Sequence, residues 1–420
     1  MVSRFRLLQL PSLAQRQVFL HFTAIDLFEL SFTSTRVRNC ILFARLRAVE
    51  HNVIFEGNHP KIVTVFKRDD GVDEDVFEWR FIGKETFNVL DCVKKNVGCH
   101  RFIECYKKRR KYFCRFHNSE FGATVIFDYI FSLLPGPVNL TLNLSTIRNV
   151  YAILLNQNLS KCQSLNMWEG GPANRTNQED MAEILDLVSV EKELKSLVTQ
   201  KDKVDITKIQ TLESVLIMDA EWMDLSALLS LKCSFGGILK HKFGLMEITK
   251  FVENWYNSTD TTLVRMRFGW ESGTPFELSK NDLEWSERDP KRRSRYFHDP
   301  TEPHHSNRID CADGHDVTRP DGLTATIQLE DFFDCSVMFY VWHDRFPEKA
   351  RLKSLNEQMT RVEDNRNRLK KRIVGSSSDV KYHTKLNEET DGLYDLLSEK
   401  RIQLMVEKAN WEETEECLDL

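Results

Sequence analysis

The chain has 420 residues, enough for two or three domains that each bury a core without disulfide or metal staples. Lys and Arg number 58 against 63 Asp and Glu, a net charge of −5, so no global basic field exists to coat nucleic acid. With 17 Gly and 11 Pro, neither a collagen-like chain nor a Pro/Gly-rich disordered one is possible.

The first 22 residues carry three arginines and Pro11, and no small-residue cleavage pattern follows, so no signal peptide is expected. The apolar stretch Val337–Trp342 is far shorter than the ~20 residues a spanning helix needs. These features predict an intracellular protein, cytoplasmic and/or nuclear, away from membranes. Its ten cysteines would be reduced and its N-x-S/T sequons, such as Asn139 and Asn158, unused.

In chain order, residues 4–46 read as three short helices. Leu13, Val18, Phe19 and Phe22 fall at helical spacing after Leu10-Pro11-Ser12. Thr23 and Asp26 have the spacing of a capping box opening a second helix with Leu27, Phe28 and Leu30. Ser31 to Ser34 turn the chain into a third helix holding Ile41 and Leu42. So small a bundle displays more apolar surface than it can bury, which predicts a docking face.

Residues 52–120 form a strand-rich segment, with strands at 52–56 and 61–67. An acidic block at 69–78 and a block at 94–117 with nine bases against one acid read as solvated faces or loops. From 121 to 285 helices and strands alternate: helices at 124–134, 147–155, 181–187, 224–231 and 248–255, and strands at 138–142, 164–167, 212–218 and 263–268. Units near 25–35 residues suggest a helix-strand, leucine-rich-repeat-like domain, although the L-x-x-L-x-L signature is missing. Residues 286–322 read as a polar linker, 323–345 as a β-hairpin after the turn Pro320-Asp321-Gly322, and 347–415 as C-terminal helices. The expected fold class is α+β.

Residues 7–42 resemble the F-box. The resemblance rests on Leu10-Pro11, the apolar spacing through Phe22, Leu27 and Leu30, and the run Leu30-Ser31-Phe32-Thr33-Ser34-Thr35-Arg36-Val37-Arg38. That run is similar to the pattern of the F-box family expanded in nematodes. The family usually has Asp-Pro where this chain has Thr23-Ala24. Asp224–Phe268, with its helix ending in Trp255, and the segment from Asp321-Gly322 to Phe339-Tyr340-Val341-Trp342 look like that family's type-2 F-box-associated domain.

The resemblance implies a non-catalytic substrate receptor of a cullin–RING ubiquitin ligase. The F-box would dock on a Skp-type adaptor, and through it on a cullin, while the downstream domain holds an unknown target protein. Leu10, Pro11, Val18, Phe22, Leu27 and Leu30 would be the apolar anchors on the adaptor. About half of them would instead form the bundle's own core, given its small size. No cofactor is implied.

Cys92, Cys99, His100, Cys105, Cys114 and His117 lie close in sequence, but their spacings do not make zinc knuckles, so no metal is expected. The same holds for His298, His304, His305, Cys311 and His315. Lys107 to Lys111, flanked by Tyr106, Tyr112 and Phe113, mixes bases with aromatics. A nucleic-acid-binding protein using 94–117 is therefore a rival reading, as is a scaffold outside any ligase. Nucleic acid is not the expected partner. No phosphate loop, G-x-S-x-G or H-E-x-x-H motif gives an enzyme reading a start. Trp270 and Trp285 flank a polar stretch with little periodicity to bury them, so they are candidate contacts for the partner. Trp255 ends a patterned helix and is expected in the core.

Overall fold

The computed structural model describes residues 7–56, 59–67, 74–82, 93–97, 100–108, 111–116, 118–170, 181–200, 202–271, 276, 283–289, 292–298, 308–330 and 335–344, with isolated positions between 357 and 405. The chain divides into two compact units, residues 1–254 with 260–270, and residues 255–259 with 271–420. It mixes helices and strands, as an α+β chain does.

The first unit opens with helices α1 (Ser12–Leu20), α2 (Ala24–Ser31) and α3 (Thr35–Ala44). Strands β1 (Glu50–Phe55), β2 (Lys61–Lys67), β3 (Glu74–Ile82), β4 (Val93–Val97), β5 (His100–Lys108) and β6 (Lys111–Arg115) follow. Helix α4 (Ser119–Leu133) leads into alternating units: β7 (Val138–Asn143), α5 (Val150–Leu154), β8 (Lys161–Trp168), α6 (Met181–Leu187), β9 (Ser189–Leu197), β10 (Ser214–Asp219), α7 (Leu225–Ser230), β11 (Phe235–Lys240), α8 (Leu245–Tyr256, whose last two residues count with the second unit) and β12 (Arg265–Gly269).

In this unit the strands form one sheet in the order β12-β11-β10-β9-β8-β7-β1-β2-β3-β6-β5-β4. From β7 to β12 each strand lies parallel beside its predecessor in the chain. Strand β1 joins this run parallel to β7, and β2 and β3 continue it antiparallel. Alternate residues explain the two faces. Leu140, Leu165, Leu194, Val215, Ile238 and Met266 are buried toward the helices. Asn139, Ser164, Lys195, Leu216, Phe235 and Arg267 stand between them on the other face, half-buried.

Two of these strands escape the sequence reading. Strand β9 is rich in Glu and Lys, yet Leu194 and Ser196 are buried, while Lys195 between them and Glu191, Lys192 and Glu193 before them are not. Strand β11 contains Gly236-Gly237, and glycine has no side chain to give a strand an apolar alternation. A Cβ on Gly236 would lie 2.3 Å from Met266 Sδ, and one on Gly237 would lie 2.5 Å from Leu216 Cδ1. Glycine is there because neighbouring side chains occupy that space.

The second unit holds β13 (Ser286–Glu287), β14 (Tyr296–His298), β15 (Arg308–Asp310), β16 (His315–Thr318), β17 (Thr324–Glu330) and β18 (Ser336–Trp342). Strands β13, β16, β17 and β18 follow one another antiparallel, and β14 pairs with β15. The expected hairpin is β17–β18, running from Thr324 opposite Trp342 to Glu330 opposite Ser336. Gly322 takes the positive φ of 89° in the turn before it.

The polar linker expected over 286–322 is corrected: its described residues carry four short strands and a buried ion pair. The Arg293 guanidinium, wholly buried, donates from Nε at 2.8 Å to Asp316 Oδ2 and from Nη2 at 2.8 Å to Oδ1. Its Nη1 and Nη2 also donate to the carbonyls of Ser294 and Cys311, both at 2.9 Å. Thr326 Oγ1 donates to Asp316 and accepts from Trp342 Nε1, and the guanidinium lies 4.8 Å from the Trp342 ring. Charge and polarity in sequence do not show that a base and an acid will be buried together, so this segment reads as solvated. The C-terminal helices expected over 347–415 lie outside the described residues, isolated positions apart.

Candidate functional site

The N-terminal bundle is built by its caps. Thr23 Oγ1 accepts from the Asp26 backbone N–H at 3.1 Å, and the Asp26 carboxylate accepts from the Thr23 N–H at 3.3 Å, so the capping box opens α2 as expected. Ser34 Oγ caps α3 by accepting from the Val37 N–H at 3.2 Å. Helix α3 ends on Arg45 in the left-handed region, φ 50°. Arg16 Nε donates to the Ala44 carbonyl at 3.1 Å, which ties α1 to the last turn of α3.

One side of this bundle is fused to the sheet. Phe28 stands edge-on to Trp79, centroids 4.2 Å apart, and Trp79 stacks on Tyr112 at 4.5 Å. Phe32 stacks on Tyr129 of α4 at 5.2 Å, and the Arg38 guanidinium covers the same tyrosine at 4.8 Å. Ser31 Oγ and the Tyr129 hydroxyl share a hydrogen bond of 2.8 Å. Burial raises the Tyr129 pKa above the usual tyrosine value, so it stays a neutral phenol.

Nearby, His51 is fully buried. Its Nε2 meets the Leu134 carbonyl at 2.8 Å, and a carbonyl only accepts, so Nε2 carries the proton. Its Nδ1 then accepts from Thr64 Oγ1 at 3.0 Å. Burial holds its pKa below the ordinary histidine value, against the opposing pull of the Leu134 carbonyl and of Glu50.

The bundle's other side is open. Leu13 is 70% exposed and Phe43 79%. Leu13 lies one turn before Arg16 and Phe43 next to Ala44, the two residues whose bond joins α1 to α3. Of the six anchor positions, Pro11 is exposed, and Leu10, Val18, Phe22 and Leu30 are half-buried. Leu27 is a correction: it is 0% exposed, beside Ala24, Phe28, Thr64 and Ile130, and belongs to the core. The reading missed Phe43, although it stands two positions from buried Ile41, on the opposite side of a helix turning 100° per residue.

Residues 7–47 match the F-box domain. Over 361 residues the chain is 30% identical to the uncharacterized protein F59B2.9 of Caenorhabditis elegans, covering 84% of this chain and 82% of that one. The chain belongs to the same family as that protein. It is also 26% identical over 372 residues to the uncharacterized protein F59B2.8 of the same nematode, covering 86% of this chain and 82% of that one. A third likeness, to the E3 ubiquitin-protein ligase hecw-1 of Caenorhabditis elegans, is 20% identical over 271 residues, 59% of this chain but 21% of that protein. No solved structure matches. F-box domains in general bind Skp-type adaptors, and proteins that carry them generally serve ubiquitin ligases as non-catalytic substrate adaptors.

The other sequence candidates divide. Trp270 and Trp285 are both half-buried and fall in different units. Trp255 is buried, its ring 5.1 Å from Phe339 within the second unit. Lys107 and Lys108 end β5 and Lys111 opens β6, while Arg109 and Arg110 lie outside the described residues. In the first Cys/His group, Cys92, Cys99 and His117 are also outside, and Cys105 stands opposite buried Cys114 in the β5–β6 register. In the second, His304 and His305 are outside, Cys311 is buried and His315 is exposed. Among the described residues no three potential metal ligands come together, and no helix is long and apolar enough to cross a membrane. The sequon amides serve the fold: Asn139 Nδ2 donates to Glu50 and Asn52, and Asn158 Nδ2 to Asp128.

Proposed function

We propose that this chain is the substrate-receptor subunit of a cullin–RING ubiquitin ligase. Its F-box docks on a Skp-type adaptor, and the sheet behind it carries the target protein. The observation that carries the reading is an F-box whose helices keep Leu13, Phe43 and Pro11 at the surface, while its opposite side is packed into the rest of the unit. Leu10, Val18, Phe22 and Leu30, half-buried, widen the apolar contact with the adaptor.

The six consecutive parallel strands β7–β12, with helices on one face, support reading the domain as leucine-rich-repeat-like and as an F-box-associated receptor domain. Trp270 and Trp285 are proposed contacts for the target. The work is placed inside the cell, in the cytoplasm or nucleus, where such ligases act.

The test is co-expression of the full chain with a Skp-type adaptor and a cullin, followed by size-exclusion chromatography. A stoichiometric ternary complex is expected. A chain that elutes free of both would overturn the proposal.

A further inference from the structure

Residues 7–47 hold five arginines against two acids, Asp26 and Glu29, on a chain whose net charge is −5. Two of the arginines are engaged within the fold. Arg16 donates to the Ala44 carbonyl, and Arg38 lies 4.8 Å from the Tyr129 ring. The other three, Arg36, Arg45 and Arg47, are exposed, and their side chains have no hydrogen bond or ion pair among the described residues.

Local structure puts these three beside exposed apolar groups. A helix turns about 100° per residue, so Arg36, Asn39 and Phe43 share the outer face of α3, with about 10 Å of axis between Arg36 and Phe43. After the helix the chain is extended. Arg45, Arg47 and Val49 are exposed there, while Leu46 and Ala48 between them are buried. The Ala48 N–H donates to the Pro135 carbonyl at 3.1 Å and the Val49 N–H to the Val65 carbonyl at 2.8 Å, which fixes this segment. Arg45 and Arg47 thus stand about 7 Å apart on one side of it. Arg45 also holds the left-handed position that closes α3, φ 50°, where glycine is usual.

No acid of the neighbouring elements answers them. Residues 30–49 contain none. Asp26 closes the capping box of α2, and Glu29 has a partner of its own. The Glu50 carboxylate accepts from Asn52 and Asn139, and that of Asp128 from Asn156 and Asn158.

We propose that Arg36, Arg45 and Arg47 bind carboxylates of the adaptor, so that this F-box takes an adaptor whose docking surface is acidic around an apolar centre. The proposal rests on the receptor reading above and gives the chemistry of the partner. Charge complementarity selects the acidic surface, and the guanidinium fork matches a carboxylate. Leu13 and Val49 offer nucleic-acid bases no aromatic platform to stack on, which favours a protein surface against Phe43. Charges at the rim of such a contact act on encounter more than on residence.

The test uses the purified full chain and a recombinant Skp-type adaptor, with both rates read by biolayer interferometry. Association should slow at least about tenfold on raising salt from about 50 to about 300 mM. Arg36→Glu with Arg47→Glu should slow it at least about tenfold at the lower salt and remove most of the salt dependence, with dissociation changed less. Arg36→Gln with Arg47→Gln, which adds no repulsion, should lie between. Arg45→Gly, which suits the left-handed turn, should slow association by a smaller factor without lowering the melting temperature. Lys192→Glu with Lys232→Glu makes the same change of net charge at exposed positions elsewhere in the first unit, and should leave both rates as in wild type.

Thermal melts establish that each variant is folded. Absence of adaptor binding by wild type at either salt overturns the receptor reading and this proposal with it. Adaptor binding that ignores salt, or that survives the paired arginine reversal unchanged, overturns this proposal alone. So does equal slowing by the lysine pair, which would make the effect one of net charge. Labelled oligo(dT) that binds wild type and is lost with the arginine pair, while the adaptor is still bound at wild-type rates, would assign the arginines to nucleic acid instead.

Discussion

Ser31, in the second helix of the F-box, shares a 2.8 Å hydrogen bond with the hydroxyl of Tyr129, 98 residues along the chain. The pair sits inside the aromatic cluster of Phe28, Phe32, Trp79 and Tyr112, so F-box and sheet share one core. An adaptor docked on the F-box, as proposed, would thereby be held in fixed geometry to the first unit's sheet.

That sharing predicts that the F-box cannot be removed cleanly. Phe28→Ala should cost about 3–5 kcal/mol, the usual range for truncating a buried phenylalanine. Deleting residues 7–47 should unfold the sheet instead of releasing a free receptor domain. The check is a thermal melt of Phe28→Ala and a circular-dichroism spectrum of the deletion. An intact, cooperatively melting sheet in the deletion would show that the two parts are independent.

His51 predicts a loss of stability in mild acid. Its folded pKa is depressed, so the unfolded chain binds more protons below about pH 6.5. The stabilisation is complete above that pH and declines as pH falls through the folded pKa. The melting temperature of wild type should fall from pH 7.5 to 5.5 more than that of His51→Gln, which starts lower. Equal slopes would remove His51 as the cause.

How much of this was readable depends on the interaction. Helices α1 to α4, and strands such as β7 and β10, announce themselves through local caps and apolar periodicity. The Thr23–Asp26 box is visible because both partners lie within four residues. What brings Ser31 to Tyr129, or Arg293 to Asp316, is distant in the chain and has no local period. The same applies to β11, whose glycines make sense only beside Met266 and Leu216. At the candidate site, composition showed that the bundle had apolar residues to spare. Which of them face out was a matter of packing: Leu27 went inward and Phe43 outward.

In the second unit, Arg293→Met should be severely destabilising because it leaves the Asp316 carboxylate buried without its cation, a loss of about 3–5 kcal/mol. Adding Asp316→Leu should recover much of that loss, since the pair is then replaced by apolar groups. Urea melts of the three proteins decide it. A double variant no more stable than Arg293→Met would show that the hydrogen bonds to Thr326, Ser294 and Cys311 outweigh the ion pair.

Burial pushes the thiols of Cys162 and Cys233 up to about 12, so neither forms the reactive thiolate near neutral pH. Iodoacetamide at pH 8 should leave both unmodified in the native protein and label both in urea, read by peptide mass mapping. Rapid native labelling at either site would contradict its placement in the core.

The central claim is that the F-box docks on an adaptor through its exposed apolar side. The most direct measurement is the affinity of the full chain for a Skp-type adaptor by calorimetry, in wild type and in Leu10→Ala with Pro11→Ala, alone and with Phe43→Asp. At ~2 kcal/mol or more for each truncated anchor, the first pair should weaken binding about 100-fold or more, and Phe43→Asp further, with the melting temperature nearly unchanged. Wild-type affinity in these folded variants, or no adaptor binding by the wild-type chain, would contradict the account.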